Sequence, residues 1–425
     1  MSALPTPRRV AIIGYNRIPF ARQFTNYAQA SNQDMMVAAL NGLINKYNLA
    51  GRQLGEVAGG AVIKHSWEIN LMRECVLHTS LDPKTPACDI QQACNTGLEA
   101  SMYIANKIAL GQIECGIAGG VDSTSNVPLV LNEHVRKILL SARRSKSAWD
   151  RIKQFSKIKL KDFTPEAPMN LEPGTGLSMG GHTEYTAKFY NISREDQDAF
   201  SLLSHKNMAA ATDRGFYKDM VTPYLGLTED NNMRRDTSLE KLAKLKPAFD
   251  KVNGTLTAGN SSPLTDGASC LLLASEEWAA ANNLPVLAYI THAEMAAIEY
   301  VEAKQNLLLA PVYAAPKMLQ KAGLTLQDFD YYEIHEAFAA QVLALLKIWE
   351  SKDLSAAFGV PALGILDRSK LNINGSSLAT GHPFAATGGR VIATLAKLLN
   401  EKGSGRGLIS VCAAGGQGMT MILEK

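Results

Sequence analysis

The sequence lacks the cysteine spacing of a metal or disulfide protein. Its six cysteines (Cys75, Cys88, Cys94, Cys115, Cys270, Cys412) form no CxxC or CxxxxH pattern, which argues against a zinc site and, in a chain this long, against a disulfide scaffold. A reducing cytoplasm fits that usage. No apolar run approaches the roughly 18 residues that a membrane-spanning helix needs. Net charge is only +3, too little for the chain as a whole to select nucleic acid or an acidic partner. No short tandem period is present. Met1 to Arg9 is short, polar and proline-containing, and a strand-like run follows at once, so no room is expected for a signal or transit peptide. What is there is a globular composition, 46% hydrophobic and 20% charged over 425 residues, enough for two or three units.

Strand-like and helix-like runs alternate. Val10 to Tyr15 reads as a buried strand, Asp34 to Leu49 as an amphipathic helix closed by Ala50-Gly51, Val57 to Ile63 as a strand, Asn70 to His78 as a helix, and Cys115 to Gly120 as a further strand. The pattern is α/β with a largely parallel sheet. Its most informative stretch is Gln91-Gln92-Ala93-Cys94-Asn95-Thr96-Gly97. The short apolar run Ala87 to Ile90 precedes it, and apolar residues at helical spacing follow from Gly97 to Leu110, stopping at Gly111. Cys94 is thus placed at a helix N-terminus, where unpaired N–H groups and the dipole favour a thiolate and lower the thiol pKa from its free value of about 8.5. A buried structural cysteine is the alternative; residues of the second half weigh against it.

From Asn126 to about Leu245 charge density rises and regular strands disappear, while helical stretches such as Arg194 to Arg214 are joined by polar loops. This reads as an inserted cap. Strand-like runs resume at Gly254 to Asn260 and Ala268 to Ala274, on either side of the turn-rich Ser261 to Gly267. The expected units are an N-terminal half of residues 1–125 completed by 246–283, a cap of 126–245, and a C-terminal half of 284–425.

The second half repeats the order of the first. Pro285 to Ile290 corresponds to the first strand, and the helix Val312 to Ala322 with the strand Tyr331 to Ile334 corresponds to Met36 to Ile63. Leu371-Asn372-Ile373 leads through Gly381-His382-Pro383 into the helix Gly388 to Asn400 and the strand Leu408 to Val411, as Ala87 to Ile90 leads through Cys94 into its helix. Two equivalent strand-to-helix turns therefore carry Cys94 and His382. Halves packed about a pseudo-two-fold axis bring such turns face to face, at the strand ends where open α/β sheets hold ligands. His335 and Cys412 each stand where a second-half strand hands over to a loop. Together the four residues offer a nucleophile, two imidazoles and a second thiol able to move protons. His65, His78, His134, His182, His205 and His292 have no partner at useful spacing and read as surface or satisfied core histidines.

Five ordered motifs then carry a resemblance over almost the whole chain: the Cys94 segment; Thr257-Ala258-Gly259-Asn260 with Asp266-Gly267-Ala268; His335-Glu336-Ala337-Phe338; Gly381-His382-Pro383 with Gly388-Gly389-Arg390; and Cys412 to Gly418. The sequence resembles the thiolases. His-Glu-Ala-Phe, where most thiolases have Asn-Glu-Ala-Phe, is similar to the β-subunits of fatty-acid-oxidation trifunctional complexes. The resemblance implies two duplicated α/β halves in a layered α-β-α-β-α arrangement with an inserted loop or cap domain. It implies a 3-ketoacyl-CoA thiolase (acetyl-CoA C-acyltransferase) of fatty-acid β-oxidation, with CoA as co-substrate and neither metal nor permanent cofactor. In that reading Cys94 is the nucleophile, His382 its base, and Cys412 the acid and base at the α-carbon. His335 and His382 donate to the enolate oxygen, and the backbone N–H groups of Cys94 and Ala414 donate to the tetrahedral oxyanion. Ala414 stands where many thiolases have glycine, which its N–H can replace if its conformation allows.

By the same resemblance Met179 and Ser262 line a pantetheine tunnel and Ala337 and Phe338 lie beside the thioester, although Ser262 also reads as a turn residue and Met179 as core. A homodimer or higher homo-oligomer is implied, and an α-subunit (hydratase/dehydrogenase) partner fits the subgroup. Three alternatives stay open: an acetoacetyl-CoA-forming acetyl-CoA acetyltransferase, a β-ketoacyl synthase, and a non-catalytic acyl-CoA or lipid binder. Cys412 speaks against the synthase, and no catalytic residue is missing as a binder would lead one to expect.

One basic stretch runs from Arg143-Arg144-Ser145-Lys146 through Arg151, Lys153, Lys157, Lys159 and Lys161. At about 100° per residue Ala148, Trp149, Ile152, Phe155, Leu160 and Phe163 gather opposite most of these charges. The segment reads either as a cap helix with a solvated basic face, or landing surface for CoA phosphates, or as a peripheral membrane anchor over 143–163.

Overall fold

The computed structural model describes residues 7–425. Strand β1 (Val10–Arg17) is buried along its full length, and its side chains alternate between two cores: Val10 and Ile12 face one, Ala11 and Ile13 the other. After the short β2 (Ala21–Arg22) comes α1 (Asn32–Lys46). It starts at Ser31, whose hydroxyl accepts from Asp34 N–H while the Asp34 carboxylate accepts from Ser31 N–H, so two donors of the first turn are satisfied reciprocally. Then follow β3 (Glu56–Gly59), α2 (Leu71–Leu77), β4 (Ala87–Asp89), α3 (Thr96–Ala109) and β5 (Cys115–Asp122).

The next long segment is helical: α4 (Glu133–Arg144), α5 (Ala148–Phe155), α6 (Met179–Phe189), α7 (Arg194–Asp213) and α8 (Leu239–Ala243). Strand β6 (Thr265–Ser275) returns to the sheet, and α9 (Glu276–Ala281) leads on to β7 (Ala288–Ala297) and α10 (Pro311–Ala322). The rest is β8 (Tyr331–Ile334), α11 (Ala339–Glu350), α12 (Lys352–Ala357), α13 (Ser377–Thr380), α14 (Thr387–Lys402), β9 (Arg406–Ala413) and β10 (Gln417–Glu424).

The strands run in the order β4-β3-β5-β6-β1-β7-β10-β9-β8, with β2 on β6. Only Val10–Ile290, Ala11–Tyr289 and Ile12–Ala288 join β1 to β7, so the sheet consists of two wings meeting at a narrow seam. Between the wings lie α3 and α14, whose Leu98, Ile104, Val391 and Leu395 fill one core with Leu271, Leu273, Ile409 and Met421 of the strands. Helices α1 and α2 cover the outer face of the first wing, and α10 and α11 that of the second. The result is the α-β-α-β-α layering that the resemblance implies. Each fully buried Leu or Ile contributes about 1.5–3 kcal/mol.

Helices α3 and α14 cross very closely at their first turns. A Cβ on Gly388 would lie 2.2 Å from Leu98 N, and one on Gly97 2.7 Å from Ala385 O. Glycine at both positions lets the backbones touch, and this contact brings the Cys94 and His382 turns together.

Several sequence expectations are corrected. The sheet is mixed rather than largely parallel: only β3/β4, β3/β5 and β8/β9 are parallel. Strand β6, arriving after the helical segment α4–α8, runs antiparallel to both β5 and β1, and the three-residue turn between β9 and β10 forces a hairpin. Residues 254–260 form no strand. Apart from the single bridge between Pro247 and Thr257, side chains are the partners: Glu184 accepts from the N–H groups of Thr255 and Leu256, and Asn260 Oδ1 from that of Thr257. Residues 371–373 make a single bridge, Leu371 to Tyr332, because Asn372 adopts φ 46° and breaks the extended run. The basic stretch is no single helix over 143–163. It breaks between α4 and α5, where Ser147 caps the second helix by accepting from Asp150 N–H, and Leu160–Phe163 is a separate 3-10 turn.

Candidate active site

Cys94 sits at the end of a tight turn, two residues before α3. Ala93 holds φ 46°, a left-handed conformation costly for a residue with a Cβ. Thr96 Oγ1 secures the turn, donating to Ala93 O at 2.7 Å and accepting from Gln92 N–H at 2.9 Å. Facing it, the turn ahead of α14 presents His382, whose Nε2 lies 3.1 Å from Cys94 Sγ. The other ring nitrogen, Nδ1, is 2.6 Å from Thr387 Oγ1. With Nδ1–H donating to that threonine, Nε2 keeps its lone pair for the thiol proton.

His335, at the end of β8, is fully buried beside His382, with ring centroids 4.2 Å apart. Its Nδ1 is 2.8 Å from Ser377 Oγ, and its Nε2 has no partner. One donor atom each of Cys94, His335 and His382 lies within 4.8 Å of the others. These are zinc-binding residue types that linear spacing kept apart, but here Sγ and Nε2 of Cys94 and His382 are engaged with each other. Cys412, at the end of β9, is 1% exposed and near enough to Cys94 for the two thiolate charges to oppose one another. Backbone N–H groups of Ala414 and of Cys94 itself are directed at Cys94 Sγ. Ala414 stays out of the left-handed region, which Gly415 and Gly416 occupy at φ 77° and 68°; its Cβ therefore costs nothing.

The electrostatics run against the expected thiolate. Burial pushes the Cys94 thiol up to about 12, with Ala414 N–H opposing and Asp122 adding to the rise. Cys94 is half-buried where it opens onto the cleft, and α3 begins two residues beyond it, at Thr96. Burial, then Arg390, lowers His382 to about 3. Burial also lowers His335, and raises Cys412 with Cys94 second. Both shifts favour the uncharged pair, a thiol hydrogen-bonded to an imidazole. From that pair, proton transfer accompanies attack, as in a serine–histidine pair.

A cleft of about 760 Å³ opens onto Cys94 and Ala414, with Val62, Ile63, Pro168, Leu171, Met179 and Phe384 among its walls. Met179 is therefore in the cleft. Ser262, Ala337 and Phe338 are not among its lining residues: Ser262 N–H donates to Ala337 O at 3.0 Å, Ala337 and Phe338 are buried, and Phe338 packs edge-on against Phe249. His182 and His205 are satisfied core histidines. His182 contacts Thr175 Oγ1 and Lys304 O, each at 2.7 Å, and His205 Nδ1 accepts from Arg234 N–H.

Two carboxylates escaped the sequence reading. Glu172, in the cleft wall, accepts from Gly415 N–H at 2.8 Å and Tyr300 O–H at 2.7 Å, so it fixes the turn that carries Ala414. Nothing in Glu-Pro-Gly-Thr-Gly marks it beforehand. Asp122 ends β5 and accepts from the N–H groups of Val62, Ile63 and Ala385, tying one cleft wall to the His382 turn; burial lifts its pKa to about 7. Its position at a strand end was a usable signal.

Comparison with known proteins agrees with this geometry. The family model described as "Thiolase, N-terminal domain" matches residues 10–277 and "Thiolase, C-terminal domain" residues 284–425. The chain is 40% identical to a 3-ketoacyl-CoA thiolase of Yersinia pestis over 98% of this chain and 97% of the relative. Among solved structures it is similar to the Bacillus anthracis acetyl-CoA acetyltransferase, with TM-score 0.83, 30% identity and 99% of both chains covered. It is also similar to human mitochondrial 3-ketoacyl-CoA thiolase in complex with CoA, with TM-score 0.82, 27% identity and both chains fully covered. Two family domains matched end to end, a full-length relative and a thiol–imidazole pair between two equivalent turns lead to one statement: the chain belongs to the thiolase family.

Proposed function

We propose that the protein is a 3-ketoacyl-CoA thiolase, cleaving 3-ketoacyl-CoA with CoA to acetyl-CoA and an acyl-CoA two carbons shorter. The observation that carries this is the 3.1 Å contact between Cys94 Sγ and His382 Nε2, with a second buried thiol, Cys412, alongside. His382 takes the Cys94 proton as sulfur attacks the C3 carbonyl, and the N–H groups of Cys94 and Ala414 hold the tetrahedral oxyanion. The oxyanion collapses, the C2–C3 bond breaks, and its electron pair becomes the enolate of acetyl-CoA beside His335 and His382. Cys412 gives its proton to that carbon. The resulting Cys412 thiolate deprotonates the incoming CoA, whose sulfur attacks acyl-Cys94 and restores the free thiol. Met179 contributes to the cleft wall along which CoA enters. Loss of 3-ketoacyl-CoA enolate absorbance on adding free CoA tests the reading. Turnover only with substrate on an acyl-carrier protein would identify a β-ketoacyl synthase, and no turnover with either would leave an acyl-CoA binder.

Edge strand β4 pairs only with β3 and is half-exposed, an open hydrogen-bonding edge suited to a second copy of the chain. An α-subunit carrying hydratase and dehydrogenase activity fits the subgroup resemblance. Among the described residues no helix is long and apolar enough to cross a membrane. The α5 helix and the 3-10 turn after it nevertheless expose Trp149 (74%), Leu160 (89%) and Phe163 (67%) among lysines and arginines, which supports peripheral contact with anionic lipid. Co-sedimentation with anionic vesicles at low salt, lost when Lys153, Lys157 and Lys161 are changed to Glu, tests this. Equal binding to neutral vesicles would reject the electrostatic contact.

A further inference from the structure

Behind His335 runs a chain of buried polar groups. Arg390 of α14 is 2% exposed, and its Nη2 donates to Ser377 Oγ at 2.6 Å and its Nη1 to Ser376 Oγ at 2.9 Å. Ser377, itself fully buried, sits 2.8 Å from His335 Nδ1. The other ring nitrogen, Nε2, is buried without a partner, and His335 belongs to the cluster formed with Cys94 and His382.

A guanidinium can only donate, so it occupies a lone pair of the serine oxygen. The hydroxyl has one proton left to place, and an oxygen that accepts from a cation donates that proton more strongly. Its neighbour is His335 Nδ1. If Nδ1 accepts, the single proton of a neutral imidazole must lie on Nε2. The opposite tautomer would turn a lone pair toward a developing oxyanion and repel it.

We infer that Ser377, held by Arg390, donates to His335 Nδ1 and locks His335 in the Nε2–H tautomer, presenting its unpartnered N–H as a ready donor to the enolate oxygen. Ser377 is thereby a positioning residue, acting through His335 without touching substrate. The inference rests on the reading that His335 serves the enolate.

The test uses the full-length enzyme with two readouts: exchange of acetyl-CoA α-protons with D₂O, which needs the enolate, and acylation of Cys94 by a saturated acyl-CoA, which does not. Ser377→Ala should lower the exchange kcat about 10- to 100-fold, part of what losing one oxyanion donor costs. KM for acetyl-CoA should hold, and acylation should fall far less than exchange. Ser377→Thr, which keeps the hydroxyl, should recover most of the loss. In a His335→Asn background, where an amide N–H needs no tautomer, Ser377→Ala should add less than about twofold. An equal loss in both backgrounds would assign Ser377 to packing and overturn the inference. Nitrogen-15 NMR of labelled histidine in the unmodified enzyme needs no variant: an Nε2–H signal for His335 is expected, and Nδ1–H would overturn the relay outright. If His335→Ala leaves exchange intact, the underlying role of His335 fails instead.

Discussion

Gly388→Ala should separate the two catalytic turns without unfolding the protein. The added Cβ would lie 2.2 Å from Leu98 N, 2.6 Å from Gly97 C and 2.9 Å from Gly97 Cα, where ordinary contact begins at 3.4 Å. All three atoms are backbone of α3, so no side chain can yield and the helices must part by about 1 Å. Cys94 lies three residues before Gly97 and His382 six before Gly388, so both turns ride on this crossing. A 3.1 Å contact between Sγ and Nε2 opened by that much is no longer a working hydrogen bond. A displacement of this size costs about 100-fold in rate, or about 2.7 kcal/mol. Overpacking costs about 1–3 kcal/mol of stability, within the 5–15 kcal/mol of a typical fold. The assay is single-turnover acylation of Cys94 by acyl-CoA, read as the mass of the intact protein, beside thermal unfolding. Gly407→Ala is the control: its Cβ would meet Leu395 Cδ1 at 2.3 Å in the same core but near neither turn. It should lower Tm and spare acylation. Gly388→Ala acylating within threefold of the parent, while destabilised as much as Gly407→Ala, would refute the argument.

With burial pushing Cys94 up to about 12 and His382 down to about 3, alkylation of Cys94 by iodoacetamide should climb without levelling from about pH 6 to 9; a plateau in that range would reveal a resting thiolate–imidazolium pair. Cys412→Ala should still acylate at Cys94 but lose at least about 100-fold in α-proton exchange, and intact exchange would move the proton carrier elsewhere. Glu172→Ala removes the acceptor that holds Gly415 N–H, so acylation should fall about 10-fold, while Glu172→Gln, which keeps an acceptor, should recover most of it. Equal losses would trace the effect to charge. Burial, opposed by Arg390 and aided by Glu336, raises Glu333 to about 8; the folded state keeps a proton that the unfolded chain releases near pH 4. That stabilisation is complete below about pH 4 and is lost as pH rises through about 8, so Glu333→Gln should gain in Tm over the parent between pH 5 and 9. A constant difference would contradict a protonated Glu333.

Much of the fold was legible because its signals are local. The apolar run Val10 to Tyr15, the helical spacing from Gly97 to Leu110 and the Gly111 that stops it each act over a short stretch, and β1 and α3 fall close to where these signals put them. The equivalence of the Cys94 and His382 turns was also readable, since it needs only two matching orders of elements. Gly254 to Asn260 misled because Glu184 and the Asn260 side chain accept from its N–H groups where a strand would have a ladder, and Leu371 to Ile373 because Asn372 turns to φ 46° after a single bridge; no periodicity reports such features.

By itself the sequence determined which chemistry is present, two thiols and two imidazoles at element ends, and in what order it arrives. Only the tertiary structure decided how that chemistry is set. The sequence argument for a thiolate at a helix N-terminus weighed one nearby dipole, whereas the state of Cys94 depends on how much water the whole fold removes from around it. Likewise Glu172 reaches Gly415 across 243 residues and Ser377 reaches His335 across 42. Desolvation and long-range hydrogen bonds are sums over neighbours in space, and the order of residues along a chain does not contain that sum until the chain has folded.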